Sequence, residues 1–446
     1  MTRSFRALFS IAFIVILNLS CSDLQRWVAG SPDAKQETSV VEVPQPQAEP
    51  TPEVKPVEQG EPQVTPTVNV APVAKSKLVY ATVATWAFPW KSEIHTLDVD
   101  TLTSKRLLQG ESSDPALFVQ ENEVVLCGRS FENKSLRFLT LDVATEDLSV
   151  GTQQAYRAGD LGDPHGMVVL SDGARVLANY SAGNLLLADV KLKSFVEVFS
   201  KTSIQTDVKM NLESIELVGG AEASIDRMIA VHQGMSLQDG KLVPDGTQLA
   251  IALQRKVGAG DVEILGTVAL EGSFPVLLKN SQKSERVVSV SLCSRGLAAS
   301  DPQNFPCRSM VESIQWIDGK LVRETLWDLG TEPEIFMNGS IVAGWENGTA
   351  YASVEVGREA AAAIRKVVKL NWNDKSVSPV YEYDEVSGGF FALMVDQRTR
   401  KLYIGDQNGA SAGRFVVFDA EGQCSEIATS GVPYSGVVLQ YSVAQP

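Results

Sequence analysis

The side chains able to do chemistry are few. In 446 residues there are three histidines and five cysteines, and no G-x-S-x-G elbow, H-E-x-x-H pair, P-loop or dinucleotide fingerprint occurs. His165 stands out because it follows Asp163-Pro164 at the head of an apolar run. Asp114, Glu332 and Tyr434 hold similar places beside Pro115, Pro333 and Pro433. Gathered at one mouth, Asp114, Asp163, His165, Glu332 and Tyr434 would form an acidic rim that attracts a cation, an amine or a basic protein segment. Taken singly, each acid before a proline caps a turn. His165 would serve as a general base toward a lactone or ester, or as a structural histidine bonded to a backbone carbonyl; both readings stand. His95 and His232 have no carboxylate at ligand spacing, and no cofactor or metal is expected.

Cys293 and Cys307 flank an insertion with thirteen residues between them. In an exported chain such a pair reads as a disulfide closing a loop, worth about 3 kcal/mol. Cys127 and Cys424 lie in separate apolar runs and read as two buried or half-buried thiols.

The elements that must position these groups are legible from Gly162 to Ser200. Four runs, His165–Leu170, Arg175–Tyr180, Asn184–Val190 and Ser194–Phe199, are separated by Ser171-Asp172-Gly173, Ser181-Ala182-Gly183 and Lys191-Leu192-Lys193. Glycine with Asp or Ser suits tight hairpins, so the stretch predicts a four-stranded meander. Leu185-Leu186-Leu187-Ala188 does not alternate, which predicts a strand covered on both faces. Prolines at 115, 164, 275, 333 and 433 recur at spacings of 49, 111, 58 and 100, multiples of roughly 50 residues. Two further units, beginning near Leu212 and Gly389, lack the proline, giving seven. Units four and five carry insertions at Met235–Gly246 and Leu297–Arg308. Leu78–Thr85 reads as a second strand without a first, and Gly436–Ser442 is a surplus strand at the other end. Pairing them closes a ring and removes exposed edges. The expectation is an all-β, seven-bladed β-propeller over residues 77–446, closed by its C-terminal strand.

Pro164-His165-Gly166, Ser171-Asp172-Gly173 and Leu187-Ala188-Asp189-Val190 resemble the blade consensus of the YVTN/lactonase-like seven-bladed propellers. That resemblance implies a fold shared by surface-layer proteins, ligand-binding modules and lactone hydrolases.

Ahead of the propeller, Arg3 and Arg6 precede the apolar run Ala7–Leu17, the pattern of a secretory signal too short to span a bilayer. Leu17-Asn18-Leu19-Ser20-Cys21 resembles a bacterial lipobox, which implies a signal over 1–20 and lipid attachment at Cys21. Ser22 then implies sorting to the outer membrane. Cleavage near Val28-Ala29-Gly30, leaving a soluble periplasmic protein, is the alternative. Residues 21–76 are rich in Pro, Glu and Gln and read as a disordered tether. A formal charge of −15 without a basic cluster argues against nucleic acid. The expected protein is a monomeric, membrane-tethered, non-catalytic module for a protein or glycan partner; the alternative is a lactonase-like hydrolase working in the central channel.

Overall fold

A computed structural model of the chain describes residues 72–444 except 84–91, 112–114, 121, 129–134, 156–163, 181–182, 190–193, 200–209, 220–223, 239–240, 280–284, 293–307, 331–335, 357–363, 384–391 and 409–411. The signal, Cys21 and most of the expected tether therefore lie outside the described residues. So do Asp114, Asp163, Glu332, Cys293 and Cys307.

Blade 3 shows how the sequence becomes a sheet. Its strands are Pro164–Val169, Arg175–Asn179, Asn184–Asp189 and Ser194–Phe199, each antiparallel to the next. Pro164 is tolerated at the head of the first strand because that position need not donate to the ladder. The first hairpin turns at Gly173, whose φ of 83° suits a residue lacking Cβ, while the Asp172 carboxylate accepts the Ala174 amide at 3.1 Å. Leu185, Leu186, Leu187 and Ala188 are all buried. Leu185 and Leu187 join one cluster with Leu212, Ile215 and Met228 of the following unit. Leu186 and Ala188 join another with Val125, Cys127 and Phe138 of the preceding unit. The unbroken apolar run thus serves two cores, one on each side of its sheet.

Seven such four-stranded sheets are formed by the described residues, making the seven-bladed β-propeller. The inner strands, in blade order, are Val432–Val443, Pro115–Gln120, Pro164–Val169, Met210–Val218, Pro275–Leu277, Phe336–Ala343 and Leu393–Asp396. All run the same way, so their starts define one face of the disc, here the upper. The turns between first and second strands, and between third and fourth, define the lower face.

Closure follows the expected pairing. Val432–Val443 runs antiparallel to Val73–Val83, with Leu78 opposite Val438 and Val73 opposite Val443. The blade-1 strand begins at Val73 rather than Leu78, so four residues of the stretch read as tether belong to the sheet; their backbone finds partners in the long C-terminal strand. The seam is clasped by Asp396, fully buried, whose carboxylate accepts Ser76 Oγ (2.9 Å), Gln440 Nε2 (3.1 Å) and Thr399 Oγ1 (2.7 Å). Elsewhere on the lower face, Arg255 pairs with Asp172 across blades 3 and 4 at 2.8 Å, and Arg398 with Asp100 across blades 7 and 1 at 2.9 Å.

The blade-4 insertion is an extension of one hairpin: Ile225–Gln238 and Lys241–Lys256 remain paired from Met235 opposite Pro244 to Gln238 opposite Lys241. This ribbon extends the upper end of the blade.

Candidate functional site

His165 is the second residue of the blade-3 inner strand, at its upper end. Its Nδ1 lies 2.7 Å from Glu213 Oε2, on the inner strand of blade 4. The two strands meet because Gly166 has no side chain: a Cβ there would stand 2.9 Å from the Ile215 amide nitrogen and 3.0 Å from Ser214 Cα. The imidazole is stacked on Tyr180, with ring centres 4.2 Å apart and planes at 9°. About a fifth of each partner's side chain is exposed, 18% for His165 and 20% for Glu213. A carboxylate on Nδ1 fixes the tautomer in which Nε2 is the basic nitrogen. Neutral, the pair is an oriented base; protonated, it is an ion pair at the rim of the channel.

His165 therefore meets a carboxylate across a blade boundary. Glu213 went unnoticed in the sequence because it lies 48 residues away. The available signal was the repeat itself, since Glu213 is one blade period beyond His165. Tyr434, from the expected rim, is buried on the inner strand of blade 1, its hydroxyl 2.7 Å from Ser92 Oγ. It packs a seam within that blade.

Two other groups near the inner strands are chemically distinctive. His95, on the third strand of blade 1, is buried against Tyr80, ring centres 5.4 Å apart, and its Nε2 lies 3.2 Å from Glu93 Oε2. Burial pushes this imidazole below the ordinary histidine range, against the raising influence of Glu93. A carboxylate two residues away on the same strand thus partners His95. Lys279, just past the inner strand of blade 5, reaches solvent yet is walled by protein. Desolvation holds its ammonium below the usual lysine range, partly offset by Glu216 of blade 4.

Among the described residues no group of three metal-ligating side chains converges. Cys127 is buried and outside any disulfide, as expected. Cys424 is instead disulfide-bonded, with its partner outside the described residues. It heads the outer strand of blade 7 and is only half-buried, which leaves its sulfur within reach of a second thiol.

No protein-family model matches the sequence, and no curated protein matches it either. Solved structures match the fold. A candidate 6-phosphogluconolactonase of Bacteroides fragilis superposes with a TM-score of 0.53 at 12% identity, covering 85% of this chain and 100% of that one. A Lactobacillus plantarum protein gives 0.52 at 12% identity, covering 82% and 100%. The periplasmic gluconolactonase of Pseudomonas aeruginosa gives 0.51 at 12% identity, covering 84% and 100%. At such identities the likeness establishes a shared architecture, the seven-bladed β-propeller, and nothing about activity.

Proposed function

We propose that this chain is a recognition module of the cell envelope, a rigid disc that holds a protein or glycan partner at its upper face without catalysing a reaction. The observation that carries this reading is directional. The first strand begins at Val73, paired with Val443 at the lower face, while the His165–Glu213 pair and the extended blade-4 hairpin stand at the upper face. A chain held through the residues before Val73 is held from its lower face. The lipobox-like Leu17–Cys21 supports lipid attachment at Cys21, and the Pro/Glu-rich stretch after it supports a stalk. The test uses the full chain as bait against solubilised envelope. A saturable partner, lost on Tyr180→Ala and Glu213→Gln, is expected; recovery unchanged by both variants overturns the upper-face assignment. Cys21→Ser should move the protein from the membrane to the soluble fraction, and no change in fractionation would count against the anchor.

The 2.7 Å bond between His165 and Glu213 favours one second reading, a lactone hydrolase with His165 as base. It requires turnover of glucono-δ-lactone by the full chain, reduced about a hundredfold or more by His165→Gln. A rate equal to that of buffer removes it.

A further inference from the structure

Between blades 1 and 2, on the lower face, lies a cleft of about 270 Å³. That is roughly nine waters' worth of liquid, too large for a lone ion and below the range of drug-sized ligands. Its back is Lys77, about nine-tenths buried, on the Val73–Val83 strand that the C-terminal strand covers. Among the described residues its sole hydrogen-bond acceptor is the neutral carbonyl of Glu146. An ammonium carries three donors, so two remain for the cleft. Beside it stands the Asp98 carboxylate. One oxygen, Oδ1, accepts the amides of Asp100 (3.1 Å) and Thr101 (2.8 Å) and the Thr101 hydroxyl (2.9 Å). Among the described residues nothing donates to Oδ2. Burial works to raise this carboxyl, yet the Thr101 and Asp100 bonds and the Lys77 charge outweigh it and keep the group ionised. At the rim a second cation–anion pair, Lys105 and Asp147, stands 3.0 Å apart, and Leu107 and Leu148 supply apolar wall.

We propose that this cleft binds one sugar ring, free or at the end of a glycan. Sugar hydroxyls donate and accept at once. Neighbouring hydroxyls on a ring therefore match an ammonium beside a carboxylate, which together give and take one bond each. The leucines pack against the C–H face of the ring. An anion would meet Asp98 and Asp147, and a cation would meet Lys77 and Lys105; a neutral polyol meets neither penalty. The site is on the face opposite His165, so it does not depend on the recognition or hydrolysis assigned there.

The experiment is titration of the full chain with glucose, galactose, mannose and N-acetylglucosamine, with short oligosaccharides ending in each, and with inorganic phosphate and glucuronate as charged controls. The expected result is saturable binding of at least one neutral sugar in the millimolar range. Lys77→Met should weaken it about tenfold or more, since a hydrogen bond to a charged donor is lost, and Lys320→Ala, exposed on blade 5, should leave it unchanged. Tighter binding of the matching oligosaccharide identifies a glycan terminus; equal binding identifies the free sugar. Should Lys77→Met fail to fold, the exposed rim variants Lys105→Ala and Asp147→Asn carry the same expectation. Absence of saturation by every neutral sugar overturns the proposal. So does binding restricted to phosphate or glucuronate, or binding indifferent to both Lys77→Met and the rim variants.

Discussion

At the residue scale, two of the three histidines show how one side chain takes different roles from its surroundings. His165 keeps a fifth of its side chain in water and faces a carboxylate from another blade; His95 is almost wholly buried, 5% exposed, and stacked on Tyr80. Burial disfavours the imidazolium, so His95 binds its proton less readily when folded than when unfolded. Where the unfolded chain holds more protons, stability rises with pH. The His95 contribution is therefore complete above about pH 6.5, the unfolded value, and is lost as pH falls from there toward the lower folded value. The midpoint of thermal unfolding should decline in that window, and His95→Gln should flatten the decline; an unaltered profile would show that other groups govern it. His165 was legible in the sequence because proline and glycine bracket it. Its partner was not, because sequence spacing inside one blade says nothing of which side chain the next blade brings alongside.

At the scale of the element, blade 3 was readable almost residue by residue, since glycine-centred turns and alternation are local signals. Elements set by distant pairing were harder. The extra turn of strand at Val73–Ser76 exists because the C-terminal strand is long enough to cover it, and nothing within Val73–Ser76 announces that. The two-sided strand at Leu185–Ala188 makes a sharp prediction. Leu186→Ala and Leu187→Ala empty different cores, so each should cost about 2–5 kcal/mol. The costs should nearly add in the double variant, because the two core clusters have no residue in common. Denaturant titration of the three variants measures this; strong non-additivity would mean the clusters communicate through the sheet. The Asp396 clasp is a second case. Asp396→Ala leaves the Ser76 and Thr399 hydroxyls, the Gln440 side-chain amide and the Arg398 backbone amide without their shared buried acceptor, and a loss of about 2–5 kcal/mol in denaturant titration is expected.

At the scale of the molecule, the ring depends on two segments more than three hundred residues apart in sequence. Each blade buries one face against each neighbour, so a ring missing one inner strand exposes the edge of the Val73–Val83 strand and uncovers one end of the channel wall. The inner strand of blade 1 also carries Leu439 and Tyr441, both buried, and Gln440, which reaches Asp396 of blade 7. Removing residues 432–446 therefore takes away a sheet partner, core side chains and part of the clasp together. The truncated chain should lose its cooperative thermal transition or assemble into multimers through the bared edge, read by calorimetry and size-exclusion chromatography. A synthetic peptide of residues 432–446, added in excess, should restore the monomer and raise the transition toward that of the intact chain, because the strand's hydrogen bonds and apolar contacts do not require covalent continuity. A truncated chain that stays monomeric with an unchanged transition would show that blade 1 holds on three strands, and that closure by the C-terminal strand is not what stabilises the disc.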